Sequence, residues 1–264
     1  YAGGVALNVK LNQRLMALPD VRRLFVQPAA GDAGTALGAA GYVAAAAGDA
    51  IRPMRHAYLG PSYSTDECLA ACAAHPARPV FRRLDDAITT AADILAAGHP
   101  LAWLQGRMEF GPRALGNRSI LGNPASPGIA ERINAQIKYR ERWRPFCPSV
   151  SDRVAADIIG TDHPAPFMTF TFDVAPHWKP RIPEVVHEDG TARVQIVSAD
   201  TNPRYYALLD AVAARTGVPV LLNTSLNRRG EPMVCSPKDA LDMFFGCDLE
   251  YLIMEDVLVT KTAT

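Results

Sequence analysis

Arg107, Arg113 and Arg118 stand six and five residues apart in the stretch GRMEFGPRALGNRSILGNP, which runs from Gly106 to Pro124. Glycines at 106, 111, 116 and 122 and prolines at 112 and 124 are set among them. A guanidinium is a planar fork that meets two oxygens of a phosphate or carboxylate at once. A glycine beside it lets main-chain N–H groups reach the same anion. The stretch therefore reads as a phosphate cradle, because a solvated charged face needs no glycine or proline between its charges. From Arg107 to Arg144 there are eight basic and three acidic side chains, in a chain whose 27 basic and 27 acidic residues cancel overall.

Three further stretches carry candidate chemistry. In KYRERWRPF, an extended strand would put Lys138, Arg140, Arg142 and Arg144 on one face, and Pro145 disfavours helix at Arg144. Taken alone, this stretch reads equally well as an RNA-binding stripe with Tyr139 and Trp143 as stacking surfaces. In LLNTSLNRRGEP, the short polar side chains Asn223, Thr224, Ser225 and Asn227 follow an apolar strand, at the strand end where open sheets hold ligands. Turn chemistry alone accounts equally well for Asn227 and Gly230. In AAGDAG, Asp32 sits in a tight turn before a helix, a place for a phosphate or a metal and also for an ordinary turn residue.

The elements that must position these residues alternate between helix and strand, without internal repeats, which is an α/β or α+β pattern. GGVALNVKLNQRLMAL reads as a turn and a helix, RLFVQP as a short strand, and TALGAAGYVAAAA as a small-residue helix. STDECLAACAAH is a capped short helix with Cys68 and Cys72 on a core face. Then follow the helix DDAITTAADILAAG, the strand PLAWLQG, the helix SPGIAERINAQI and the alternating strand PFMTFTFDV. PRYYALLDAVAARTG is a helix, VPVLLNTSL a strand, SPKDALDMFFG a capped helix, and LEYLIMEDVLVTK a final strand or pair. Zero net charge argues against a general nucleic-acid or anionic-membrane binder, and no apolar run reaches membrane-span length. Five scattered cysteines suggest reduced thiols in a cytoplasm. The six histidines share no metal-binding spacing and read as structural or surface residues. The glycine-rich AGGVALN, with no strand before it, is expected to continue an upstream part.

Taken together, GGVALNVKLNQRL, GDAGTALGAA, GRMEFGPRALGNRSIL, IKYRERWRPFCPSV, TARVQIVSADTNPRYY and GVPVLLNTSLNRRGEPMVCSPKDAL resemble the C-terminal half of the O-carbamoyltransferases of antibiotic and nodulation-factor biosynthesis. The resemblance implies the C-terminal piece of an actin-like ATPase domain at 1–50, a linker at 51–83 and a YrdC-like domain at 84–264. It further implies that carbamoyl phosphate and ATP form carbamoyl-adenylate with loss of pyrophosphate, and that a small-molecule hydroxyl then accepts the carbamoyl group. Arg113, Arg118, Lys138 and Arg144 would hold carbamoyl phosphate and the nucleotide phosphates, joined by Arg107, Arg193, Asn223, Thr224, Ser225 and Asn227. Gly3, Gly4 and Asn8 would line the nucleotide site of the actin-like part. Asp32 would be one ligand of an iron(II) or other divalent metal, with Mg²⁺ accompanying ATP. The family's paired metal-binding histidines have no match in these residues. A homodimer is compatible with the resemblance. Two rivals stand beside this reading. One is an RNA-binding YrdC-like module. The other is a hydrogenase-maturation-type carbamoyltransferase, whose acylphosphatase and Cys-rich zinc modules have no counterpart here.

Overall fold

The computed structural model describes residues 1–138, 144–161 and 163–261. In chain order the helices are α1 (Val9–Met16), α2 (Thr35–Ala46), α3 (Thr65–Ala74), α4 (Ala87–Ala96), α5 (Ile129–Ile133), α6 (Asp152–Ile159), α7 (Pro203–Thr216) and α8 (Pro237–Phe245). The strands are β1 (Val80–Arg83), β2 (Leu101–Leu104), β3 (Arg118–Gly122), β4 (Cys147–Ser151), β5 (Phe172–Asp173), β6 (Thr191–Ala192), β7 (Gln195–Val197), β8 (Val220–Ser225), β9 (Tyr251–Met254) and β10 (Val257–Thr260). Eight strands form one sheet in the order β1-β10-β9-β2-β3-β8-β4-β7, and β5 pairs with β6 apart from it. Within the sheet, β2–β9 and β4–β7 are parallel and the other pairings antiparallel. The fold is mixed α/β.

Side chains alternate across the sheet, as the pleat requires. Leu101, Trp103, Leu121, Leu221 and Ile253 pack with α4 and α7 on one face. Ala102, Leu104, Ile120, Val220, Leu222, Leu252 and Met254 belong to the core on the other face, shared with residues of α3, α5, α6 and α8. The helix starts follow from their caps. Asp86 accepts the N–H of Thr89, and Asn202 accepts that of Tyr205. Ser64 and Ser236 each form a reciprocal capping box, with Glu67 and Asp239.

The N-terminal segment docks on this layered body. Ala6, Val26 and Ala30 enter the main core. The buried Asn12 donates to the carbonyls of Ala6 at 2.7 Å and Thr169 at 2.8 Å. Phe25 meets Phe167 edge to face at 6.2 Å. In contrast, α2 has no buried residue in this chain.

Residues 51–83 contain α3 and β1, and β1 pairs with β10 in the large sheet. Three expectations are corrected. RLFVQP forms no strand, because no described strand pairs with it. PFMTFTFDV is reduced to the short β5, because Met168 takes φ 54° and interrupts the extended run. Lys138 ends a π-helical turn over Asn134–Lys138 rather than starting a strand, while Tyr139, Arg140, Glu141, Arg142 and Trp143 lie outside the described residues.

Candidate anion-binding site

A recess of about 100 Å³ opens where β8 ends, beside the start of β4 and the loop leading into β3. Arg113, Arg193, Cys147, Asn223, Thr224 and Ser225 line it, together with apolar side chains that include Phe146 and Met168. Among the described residues no acidic side chain lines it. Arg113 is half-buried and makes no hydrogen bond or ion pair among the described residues. Burial, and then the neighbouring Arg193, push its guanidinium from the ordinary 12.5 down to about 10. Arg193 donates from Nε to the Cys147 sulfur at 2.9 Å. Two guanidiniums held together without a carboxylate are a site poised for an anion with two charges.

The loop that presents Arg113 is pinned along its length. Glu109 is buried, and its Oε1 accepts the N–H groups of Leu115 at 2.7 Å, Asn117 at 2.8 Å and Arg118 at 3.2 Å. Burial raises the pKa of this carboxyl above its usual range, against the lowering effect of those bonds. The Leu115 carbonyl accepts from Tyr58 at 2.9 Å and from Gln195 at 2.7 Å. Gly116, at φ 103°, lies flat on the buried Tyr205 ring, where a Cβ would fall 2.3 Å from Cδ1. Gly111, at φ 112°, rests on the N-terminal segment, where a Cβ would fall 3.0 Å from the Pro28 oxygen. Only glycine fits both places.

Lys138 secures the opposite wall. Its Nζ reaches the Ser225 carbonyl at 2.5 Å and hydroxyl at 3.2 Å, and the Asn227 carbonyl at 2.9 Å and side-chain oxygen at 2.6 Å. Ser225 donates its hydroxyl to the same Asn227 oxygen at 2.6 Å. Lys138 and Asn227 therefore shape the turn behind Ser225.

The structure thus gathers Arg113, Arg193, Asn223, Thr224 and Ser225 at one recess, with Lys138 and Asn227 behind it. It assigns three arginines elsewhere. Arg118 is fully buried in β3, and its guanidinium donates to the carbonyls of Cys235, Gln105, Gly106, Asn117 and Pro61. Those contacts tie β3 to the loops around it. Arg107 is exposed and donates to the Leu59 carbonyl at 2.8 Å. Arg144 is exposed and is not part of the recess wall. Glu109 and Cys147 received no site role from the sequence. The available signals were an acid inside a glycine–arginine stretch, and a cysteine immediately after RWRPF.

The residues expected to bind nucleotide lie in the N-terminal segment. Gly3 donates its N–H to the Ala30 carbonyl at 2.7 Å, and Gly31 lies close against Gly4. Asn8 caps α1 through the Leu11 N–H at 3.1 Å. Asp32 is exposed and begins a 3₁₀ turn. Among the described residues no three His, Cys, Asp or Glu side chains gather as a metal-binding group. The donors present therefore do not make a metal centre by themselves. Among the described residues no helix is long and apolar enough to cross a membrane.

An arginine-lined recess carried by these motifs defines a class of protein. The description "Carbamoyltransferase C-terminus" matches residues 92–261, and "Carbamoyltransferase N-terminus" matches residues 1–41. The chain belongs to the carbamoyltransferase family, a family of enzymes. Among its relatives, Nodulation protein NolO of Bradyrhizobium diazoefficiens is 42% identical over 98% of this chain and 48% of its own length. Nodulation protein NolNO of Sinorhizobium fredii is 41% identical over 98% of this chain and 39% of its own length. The chain thus spans less than half the length of these relatives. HypF in its phosphate- and nucleotide-bound form aligns over 68% of this chain and 22% of its own, at 16% identity and a TM-score of 0.43.

Proposed function

We propose that this chain carries the carbamoyl-phosphate site of an ATP-dependent O-carbamoyltransferase. The observation that carries the reading is the pairing of Arg113 and Arg193 in a recess that no acidic side chain lines among the described residues, at the end of β8. Carbamoyl phosphate is a small dianion that fits such a site in charge. In the proposed reaction water cleaves carbamoyl phosphate to carbamate and inorganic phosphate, a carbamate oxygen displaces pyrophosphate from the α-phosphate of ATP, and a hydroxyl then attacks the carbamoyl carbon of the carbamoyl-adenylate and displaces AMP. Two anions must approach one another for this to happen. The task of the guanidiniums is to offset that charge and hold geometry, work that needs no protein nucleophile. Glu109 and Lys138 act as positioning residues, fixing the loop of Arg113 and the turn of Ser225.

In the same reading, residues 1–50 are the C-terminal piece of an actin-like ATPase domain, and 84–264 are a YrdC-like domain whose sheet β1 extends. The separate matches at 1–41 and 92–261 support that division. Gly3, Gly4 and Asn8 belong to the nucleotide site of the actin-like part. Asp32 is the single residue offered here to an iron(II) or other divalent metal, and no step of the proposed reaction is routed through it. In this reading the acceptor is a small-molecule hydroxyl of the aminoglycoside kind, taken from the resemblance to tobramycin carbamoyltransferase (nebramycin 5′ synthase). Five free cysteines support a reducing, cytoplasmic setting.

Carbamoyl-phosphate-dependent exchange between ATP and pyrophosphate tests the reading. Arg113→Ala and Arg193→Ala should each lower exchange by roughly 10- to 100-fold, the value of charge-assisted hydrogen bonds to the anion. Near-normal exchange in both variants would remove the recess from the reaction.

A further inference from the structure

Cys147 shares the recess wall with Arg113 and Arg193 and is 3% exposed. The sheet itself brings these residues together. Strands β4 and β7 run parallel with Ser149 opposite Gln195, and continuing that register back by two residues sets Cys147 opposite Arg193. On its other side Cys147 pairs with Asn223 of β8. Residues two apart in a strand share a face. Ser149 meeting Gln195 at 2.7 Å and Arg193 meeting the Cys147 sulfur at 2.9 Å are therefore successive steps of one cross-strand ladder. The step formed by Arg193, Cys147 and Asn223 lines the recess.

A guanidinium carries its N–H donors in one plane, and the bond to sulfur takes the one on Nε of Arg193. Those on the two Nη atoms meet no protein acceptor among the described residues, so the fork is left for a ligand. Fixing Nε fixes the plane of that fork. Without the tether, repulsion from Arg113 would favour rotamers that carry the half-buried Arg193 out into solvent. Burial and then Arg193 disfavour the charged form of Arg113, and Cys147 favours it. A carboxylate in this place would hold the guanidiniums but cancel the charge that an anion needs. An apolar side chain would keep the charge and hold neither arginine. A thiol is a small acceptor that brings no full charge, so it can hold the fork and leave the recess cationic. We propose that Cys147 is the positioning residue for Arg193, holding Nε so that both Nη groups face the phosphate of the ligand. This inference rests on the recess being the anion site of the proposed function.

Calorimetric titration of the 264-residue chain with inorganic phosphate tests it, with the fold of each variant confirmed by circular dichroism. Cys147→Ala and Cys147→Val both lack an acceptor, and each should weaken phosphate binding about fivefold, the worth of one hydrogen bond. Cys147→Ser keeps an acceptor and should recover most of that loss. In an Arg193→Ala background, Cys147→Ala should cost nothing further. A thiol needed only for packing against Leu115, Phe167 and Met168 would gain nothing from serine and would cost the same in both backgrounds. Either of those results overturns the proposal, as does undiminished phosphate binding in Cys147→Ala. Should neither acceptor-free variant fold, solvent exchange of the Arg193 Nε–H in the unaltered chain decides: a protected proton supports the tether and a freely exchanging one overturns it. If Arg193→Ala itself leaves phosphate binding intact, the reading of the recess falls, and this inference with it.

Discussion

Replacing Arg113 by glutamine separates anion binding from fold stability, because the two should move in opposite directions. In the free protein the guanidinium is half-buried beside Arg193, and its pKa falls from 12.5 to about 10. That drop corresponds to about 3 kcal/mol by which the fold disfavours the charged form. Solvent screening at a half-buried position reduces the recoverable part to roughly 1–2 kcal/mol. A neutral glutamine escapes the burial cost of a charge and the repulsion from Arg193. Arg113→Gln should therefore unfold later in urea than the unaltered chain when no anion is present, while its affinity for phosphate falls roughly 10- to 100-fold. Raising the pH past about 9 should weaken phosphate binding to the unaltered chain as Arg113 loses its proton, and should leave the residual binding of the variant flat. Arg107→Ala serves as the control, since that side chain donates to the Leu59 carbonyl outside the recess. An Arg113→Gln variant that binds phosphate normally, or one clearly less stable without anion, refutes the argument.

Gly116→Ala should lose about 2–4 kcal/mol in chemical denaturation, because φ is 103° and the new methyl group would meet the Tyr205 ring at 2.3 Å. Glu109→Ala should lose roughly 3–5 kcal/mol, since three buried N–H groups lose their acceptor. The raised pKa of Glu109 makes the folded chain hold that proton more tightly than the unfolded chain does. Its favourable contribution is thus full below the unfolded value, near pH 4, and is lost as pH rises through the folded value. Thermal melts across that window should show this dependence shrink in Glu109→Gln. Asn12→Ala removes both donors to Ala6 and Thr169, and hydrogen exchange in residues 1–16 should rise well before that of the sheet.

Much of the frame was legible because its signals are local. Caps such as Ser64 with Glu67 announce their helices, and apolar runs such as Leu101–Leu104 announce buried strands. At the recess, Arg113 and the Asn223–Ser225 run could be picked out because a fork beside glycine, and short polar groups after an apolar strand, are unusual in sequence. What stayed hidden depends on contacts far apart in the chain. Nothing near Arg118 reveals that five carbonyls, two of them more than fifty residues away, occupy its guanidinium. Glu109 reads as a counter-charge until the fold returns the loop onto it. RLFVQP has strand composition, but a strand is a property of two segments, and no described segment pairs with this one.

The close seating of Gly111 on Pro28 leaves no side chain between the two backbones to absorb a shift. A ligand that drew Arg113 inward would therefore strain a backbone contact whose other half leads, a few residues on, to Gly31 and Asp32.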